Sequence, residues 1–317
     1  MKGIIDLHCD TLLECMLQNK GLSEMEGHIN LEKLKQGGSL AQCFAIFIPT
    51  QECAKRNGIT DGSYEVFQKL YRIFEQEMQL HSSEISQVKT AEEIRKNHEA
   101  GKLSAILTVE DSVFLEGDIR RVDEMADKGV RMASLIWNYE NSLGYPNSRD
   151  DKLHGLGLKP FGIEAVQRMN ELNIIADVSH LSEGGFWDVL KHSKKPIAAS
   201  HSCARALCNH PRNLTDEQLK ALGNAGGVAG VNFYSCFLAV DSDYTSDDMI
   251  LQHIVYMVDK AGIESVAMGS DFDGIDCGLE MKDAAGFPQL LAKMSKHFTD
   301  DQIEKIAHKN FLRVFEA

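Results

Sequence analysis

The sequence predicts an α/β chain folded as a (β/α)8 TIM-type barrel. Eight short apolar runs read as strands, and amphipathic helical segments separate them. The 317 residues contain no linker, low-complexity tract or internal repeat, so one domain over residues 1–317 is expected. In such a barrel the C-terminal ends of all strands meet at one mouth, where sites are built.

The first run, Ile4-Ile5-Asp6-Leu7-His8-Cys9-Asp10-Thr11, reads as a short strand ending in a His-x-Asp pair. Side chains alternate along a strand, so His8 and Asp10 share a face and can hold one cation. Ser39 to Ile48 is the second strand, stopped by Pro49. Apolar positions at helical spacing (Val66, Leu70, Ile73, Phe74) predict a helix over about 62–80, and Thr90-x-x-Glu93 is a capping box for another. The third strand, Leu103–Glu110, ends in a carboxylate. A helix to Lys128 leads into the fourth, Val130–Trp137. The polar loop from Asn138 to Leu158 is long enough to be expected over a site.

A helix from Pro160 precedes the fifth strand, Ile174 to His180, and another around Gly185–Lys191 precedes the sixth, Pro196 to His201. Both strands end in histidine. A polar loop carrying Arg212 follows, and then a helix capped by Thr215-x-x-Gln218. Gly227–Tyr234 is the seventh strand, 247–262 an amphipathic helix, and Ser265–Asp271 the eighth strand, leading into Asp271-Phe-Asp273-Gly274. Helices near Pro288–His297 and, behind the capping box Thr299-x-x-Gln302, near Gln302–Glu316 close the chain.

Composition narrows the partners. Lys and Arg total 33 against 47 Asp and Glu, a formal charge of -14 with no basic stripe, which argues against nucleic acid and against an anionic membrane surface. No apolar run approaches the ~20 residues of a membrane span, and the N-terminus lacks a signal peptide's pattern. A cytoplasmic protein is expected. The eight cysteines are irregularly spaced without a C-x-x-C, which fits reduced core thiols.

The strand ends together carry His8, Asp10, Glu110, His180, His201 and Asp271. Imidazole mixed with carboxylate suits zinc and its neighbours, whereas calcium or magnesium takes oxygen ligands. Three histidines and three carboxylates exceed what one catalytic zinc needs. They suit two ions ~3.5–4 Å apart, with Glu110 as the bridge because its two oxygens can each hold one ion. Such a pair lowers the pKa of a shared water toward ~7 and polarises a carbonyl, the chemistry of amide hydrolysis. Asp271 is the candidate to accept the water's proton and return it to the leaving amine. Arg212 is the candidate to hold a substrate carboxylate.

These residues resemble the membrane dipeptidase family (renal dipeptidase-like zinc peptidases, peptidase family M19), a branch of the metal-dependent amidohydrolase barrels. The resemblance runs nearly the whole length. It rests on Asp6-Leu-His-Cys-Asp-Thr, Asp177-Val-Ser-His180, Ser200-His-Ser202, Arg212-Asn213-Leu, Val231-Asn-Phe-Tyr234, Gly269-Ser-Asp-Phe-Asp-Gly274 and Asn310-Phe-Leu-Arg-Val-Phe315. It implies a dipeptide substrate, some members accepting a D-residue at the C-terminal position. It also implies two Zn2+ per chain: His8 and Asp10 on one, His180 and His201 on the other, and Glu110 between them. Asp271 would match the proton-transfer aspartate, and Arg212 the arginine that receives the substrate's carboxylate.

There are departures. The renal type has a substrate-contacting histidine after strand four, where this chain offers Trp137 or Asn138 as substrate-binding residues. Glu110 is followed by Asp111 and not by a Gly-rich turn, and no secretory leader or lipid-anchor tail is visible, so "membrane" is not carried over. Barrels of this type often pair, which puts a homodimer among the expectations. Two other readings stay open: an amidohydrolase acting on another small amide, lactam or lactone, and an idle metal-binding scaffold. A phosphoesterase barrel would want more histidine and a basic phosphate cradle.

Overall fold

The computed structural model describes residues 3–317. Eight parallel strands close into a ring: β1 (Ile4–Asp6), β2 (Ser39–Phe47), β3 (Leu103–Glu110), β4 (Val130–Ser134), β5 (Ile175–Asp177), β6 (Ala198–Ala199), β7 (Val228–Val231) and β8 (Val266–Met268). Each pairs with its neighbours in sequence, and Asp6 opposite Met268 closes the ring between β1 and β8. This is the (β/α)8 barrel the sequence predicts. The longest register joins β2 to β3, from Ala41 opposite Ser104 to Phe47 opposite Glu110, and carries Glu110 to the mouth.

One apolar cluster takes residues from all eight strands, among them Ile5, Cys43, Ile106, Met132, Ile175, Ala198, Val228 and Ala267. Phe311 and Phe315 of the C-terminal helix join it. A larger cluster joins the strands to the helices, where Val66, Phe67, Leu70 and Phe74 are the buried stripe of helix Ser63–Leu80. Helical spacing of those four residues is what commits the segment to that face.

All three capping boxes form: Thr90 with Glu93, Thr215 with Gln218, and Thr299 with Gln302. Each satisfies backbone N–H groups that the first helical turn leaves without partners. Three local features differ from the sequence reading. A short extra strand, Ile85–Gln87, pairs outside β3; three residues with two polar side chains carry too little pattern to be read as a strand. The closing helix is broken into Asp300–Glu304, a π turn over Lys305–Lys309 and Asn310–Phe315, and the π turn places His308 Nδ1 2.9 Å from the Gly3 carbonyl oxygen. The strands are also shorter than the apolar runs. The β1 ladder stops at Asp6, and single backbone bonds from Leu7 to Met268 and from Asp10 to Phe272 carry the chain onward in extended form. His8, Asp10, His180 and His201 therefore stand just past their strands. No helix among the described residues is long and apolar enough to cross a membrane.

Candidate metal centre

Local backbone geometry aims the site residues. His180 (φ 69°), Asp271 (φ 64°) and Asp111 (φ 62°) all occupy left-handed backbone that non-glycine residues seldom adopt. Asp111 thus takes the conformation for which a glycine is expected after Glu110. Its Oδ1 accepts from Val113 N and Asn141 Nδ2, both at 2.9 Å, and holds the turn. Close approach of β6, β7 and β8 also needs a bare backbone: a Cβ on Gly269 would sit 1.8 Å from the Ser200 carbonyl oxygen, next to His201.

The structure brings His8, Asp10, Glu110, His180, His201 and Asp271 together, each no more than 9% exposed. Glu110 stands between two groups. Its Oε2 lies 3.1 Å from His8 Nε2, and that nitrogen is 3.7 Å from Asp10 Oδ2 and 3.9 Å from Asp271 Oδ1. Its Oε1 lies 2.9 Å from His180 Nε2 and 3.5 Å from His201 Nε2, and the two imidazole nitrogens are 2.9 Å apart.

The other ring nitrogens fix what those atoms carry. His180 Nδ1 is 3.0 Å from Asn138 Oδ1, an oxygen that can only accept, so Nδ1 holds the proton. Ser200 Oγ donates to Asp177 Oδ2 and accepts from His201 Nδ1 at 2.7 Å. Both Nε2 atoms therefore present lone pairs, to each other and to Glu110 Oε1. Without a cation among them these three atoms repel. Two imidazoles anchored at Nδ1 with bare Nε2 atoms converging on a carboxylate form the donor set of a transition-metal site.

The charges agree. Burial raises Asp10, the Glu110 charge adds to it, and together they push it up to about 7. Asp271 is raised by burial, with the His8 charge opposing. Burial works against charge on His8 too, but Glu110 and Asp10 outweigh it and hold His8 well above its usual range. Glu110, despite burial, is held well below its own by the His8 charge. Burial and the Arg212 charge push His180 down to about 3, and burial and the His8 charge push His201 well below the usual range. Three carboxylates facing one protonated imidazole are short of positive charge. Asp10 Oδ1, buried with no hydrogen-bond partner, marks the same shortage, so the residues fit a bound cation.

Arg212 is 5% exposed and lies beside this cluster. Its Nη2 donates to the His201 carbonyl oxygen at 3.1 Å, its Nη1 to Ser202 Oγ at 3.4 Å, and its buried Nε has no partner. Asn138 is exposed on the rim against His180. Trp137 packs edge-on to Phe47 at 4.9 Å, with its ring 6.2 Å from that of His180. The loop from Asn138 lies over the site as expected, with Asn147 N donating to the His180 carbonyl oxygen at 2.7 Å. Sequence reasoning missed the support behind the ligand candidates. Asp177 and Ser200 anchor His201, and Asn232 Nδ2 donates to Asp271 Oδ2 at 2.8 Å. All three fall inside motifs quoted above, so their position beside ligand candidates was the available signal.

The closed parallel barrel and this His–carboxylate cluster define a metallohydrolase-type barrel. The chain belongs to the membrane dipeptidase family, peptidase family M19, whose profile matches residues 2–317. It is an enzyme of that metallo-dipeptidase family. It is 32% identical to an uncharacterized dipeptidase of Schizosaccharomyces pombe (C965.12), over 99% of this chain and 80% of that one. It is 26% identical to the dipeptidase tcpJ of Claviceps purpurea, over 92% of this chain and 69% of that one. Among solved structures it is similar to a metallo peptidase from Rhodobacter sphaeroides liganded with a phosphinate mimic of the dipeptide L-Ala-D-Ala. That likeness has 27% identity and a TM-score of 0.89, covering 99% of this chain and 98% of the other.

Proposed function

We propose that this chain is a single-domain binuclear zinc dipeptidase over residues 1–317 that cleaves dipeptides, including those with a D-residue at the second position. The observation that carries the reading is the division of Glu110, with one oxygen on His8 and the other on His180 and His201. His8, Asp10 and Glu110 would hold one zinc, and Glu110, His180 and His201 the other. Bound zinc supplies an acidified water and a polarised carbonyl.

The chain's own residues supply the rest. Asp271, carried beside His8 and steadied by Asn232, accepts the proton of the attacking water and returns it to the leaving amine. Arg212 receives the substrate's C-terminal carboxylate, for which its unpartnered Nε is one available donor. Asn138 and Ser200 keep each imidazole proton on Nδ1. Trp137 and Asn138 stand at the rim where they can touch the substrate. The L-D preference is supported by the L-Ala-D-Ala mimic bound by the Rhodobacter relative. The seven described cysteines are all free, which supports a reducing, cytoplasmic setting.

The test is hydrolysis of a panel of L-L and L-D dipeptides by purified protein, with and without chelator. Chelator-sensitive cleavage is expected, with the L-D members among the substrates. A panel left intact by zinc-loaded protein would refute the dipeptidase and favour action on another small carboxylate-bearing amide or lactam.

A further inference from the structure

One cavity borders the metal centre, its lining including Asp111, next to Glu110, and Tyr139, next to Asn138. It has a volume of about 900 Å3 and is enclosed by the segments after β2, β3 and β4. In a closed ring of eight, β6 stands opposite β2. Arg212 follows β6, so the cavity and Arg212 flank the metal centre from opposite sides. A dipeptide with its C-terminal carboxylate at Arg212 sends its N-terminal residue toward the cavity. This step rests on the dipeptidase reading above.

Ile59, Val66 and Val113 give the cavity apolar walls. Five carboxylates line it, and four already have partners: Glu52 with Arg56, Asp61 with Lys69, Glu116 with Arg121 and Glu140 with Lys159, at 2.5–2.7 Å. Asp111 is the fifth. It is 3% exposed, its Oδ1 is held by two N–H donors, and no basic residue among the described residues pairs with it. Lys55, the basic residue on the lining, is exposed and forms no ion pair with Asp111. A buried carboxylate without a counter-charge is costly, and a cation brought by the ligand removes that cost. Apolar walls leading to such a carboxylate match a long methylene stem ending in a positive charge.

We propose that this cavity is the subsite for the substrate's N-terminal residue, and that it takes a lysyl or arginyl side chain whose charge pairs with Asp111. The cavity sets which dipeptides are preferred, while the metal centre sets the chemistry.

The test compares kcat/KM for lysyl-alanine, norleucyl-alanine and alanyl-alanine on the zinc-loaded full chain, using the alanine enantiomer cleaved best. Norleucine keeps the stem and lacks the charge. Lysyl-alanine is expected to exceed norleucyl-alanine by about tenfold or more. Asp111→Asn keeps the Oδ1 acceptor and tolerates the left-handed backbone, and is expected to bring that ratio to about one. Should this variant not fold, Val113→Phe, which narrows the same cavity, must cost lysyl-alanine more than alanyl-alanine. Norleucyl-alanine cleaved as well as lysyl-alanine, or equal losses on both in Asp111→Asn, would overturn the subsite and leave the dipeptidase intact. Equal losses on lysyl-alanine and alanyl-alanine in Val113→Phe would do the same. Cleavage of none of the three would overturn both.

Discussion

Ser200→Ala isolates half of the metal centre. Ser200 Oγ is fully buried, accepts from His201 Nδ1 at 2.7 Å and donates to Asp177 Oδ2. Alanine fits the same backbone but leaves the imidazole N–H without an acceptor, and no solvent reaches it to substitute. A buried polar group stripped of its partner costs about 1–3 kcal/mol. His201 can avoid that cost by moving its proton to Nε2, but this removes the lone pair aimed at Glu110 Oε1. Either route weakens cation binding on the His180–His201 side by about 10–100-fold, the usual effect of losing a partner behind a ligand. The His8–Asp10 side meets this group at Glu110 and where the His8 ring lies 4.0 Å from that of His201, but its own contacts to Glu110 Oε2 and Asp10 do not run through Ser200. Titrating metal-free protein with zinc against a chromophoric chelator resolves the two sides as two classes. Only the weaker class of the variant is expected to shift. Two classes unshifted, or shifted equally, would refute the assignment of His201 to one side.

Other perturbations report on other groups. Asp271→Asn should keep its metal and lose about 10²–10⁴-fold in kcat, read by metal analysis and steady-state kinetics on one sample; full activity would remove Asp271 from proton transfer. Arg212→Ala should raise KM for free dipeptides far more than for C-terminally amidated ones, and equal effects would remove it from carboxylate recognition. Burial pushes Asp111 up to about 7, so the fold favours its protonated form. That contribution is complete below about pH 3.8 and is lost as pH rises through 7, amounting to as much as about 4 kcal/mol. Chelated Asp111→Asn should therefore gain stability over the chelated parent progressively from pH 4 to 7 in urea unfolding, and a constant difference would contradict the assignment. Chelation should lower Tm by about 6 °C for each ion removed, since a site filled a thousandfold above its Kd contributes about 4 kcal/mol and a chain of 317 residues unfolds with an entropy of about 0.67 kcal/mol/K.

What the sequence discloses and what it hides divides by range. Strands and caps are local: alternation, apolar runs and Thr-x-x-Glu/Gln spacing name all eight strands and three capping boxes before any contact is known. The ligand candidates are legible for the same reason, since each closes an apolar run. The support behind them is not. Ser200 and Asp177 are 23 residues apart, Asn138 and His180 are 42 apart, and only the parallel pairing of neighbouring strands brings each pair together. The cavity is a product of three loops and has no sequence period. Asp111 reads as a departure from an expected turn, and its left-handed backbone explains why that position attracts notice. The apolar runs overstate strand length because the chain stays extended past the ladder, which is how His8 and Asp10 reach the mouth.

The most direct test of the two-ion centre is metal analysis of purified protein, with dipeptide cleavage measured on the same sample before and after chelation. Two zinc per chain, cleavage lost on chelation and restored by zinc would bear the account out. One ion or none in fully active protein, or cleavage that survives chelation, would contradict it.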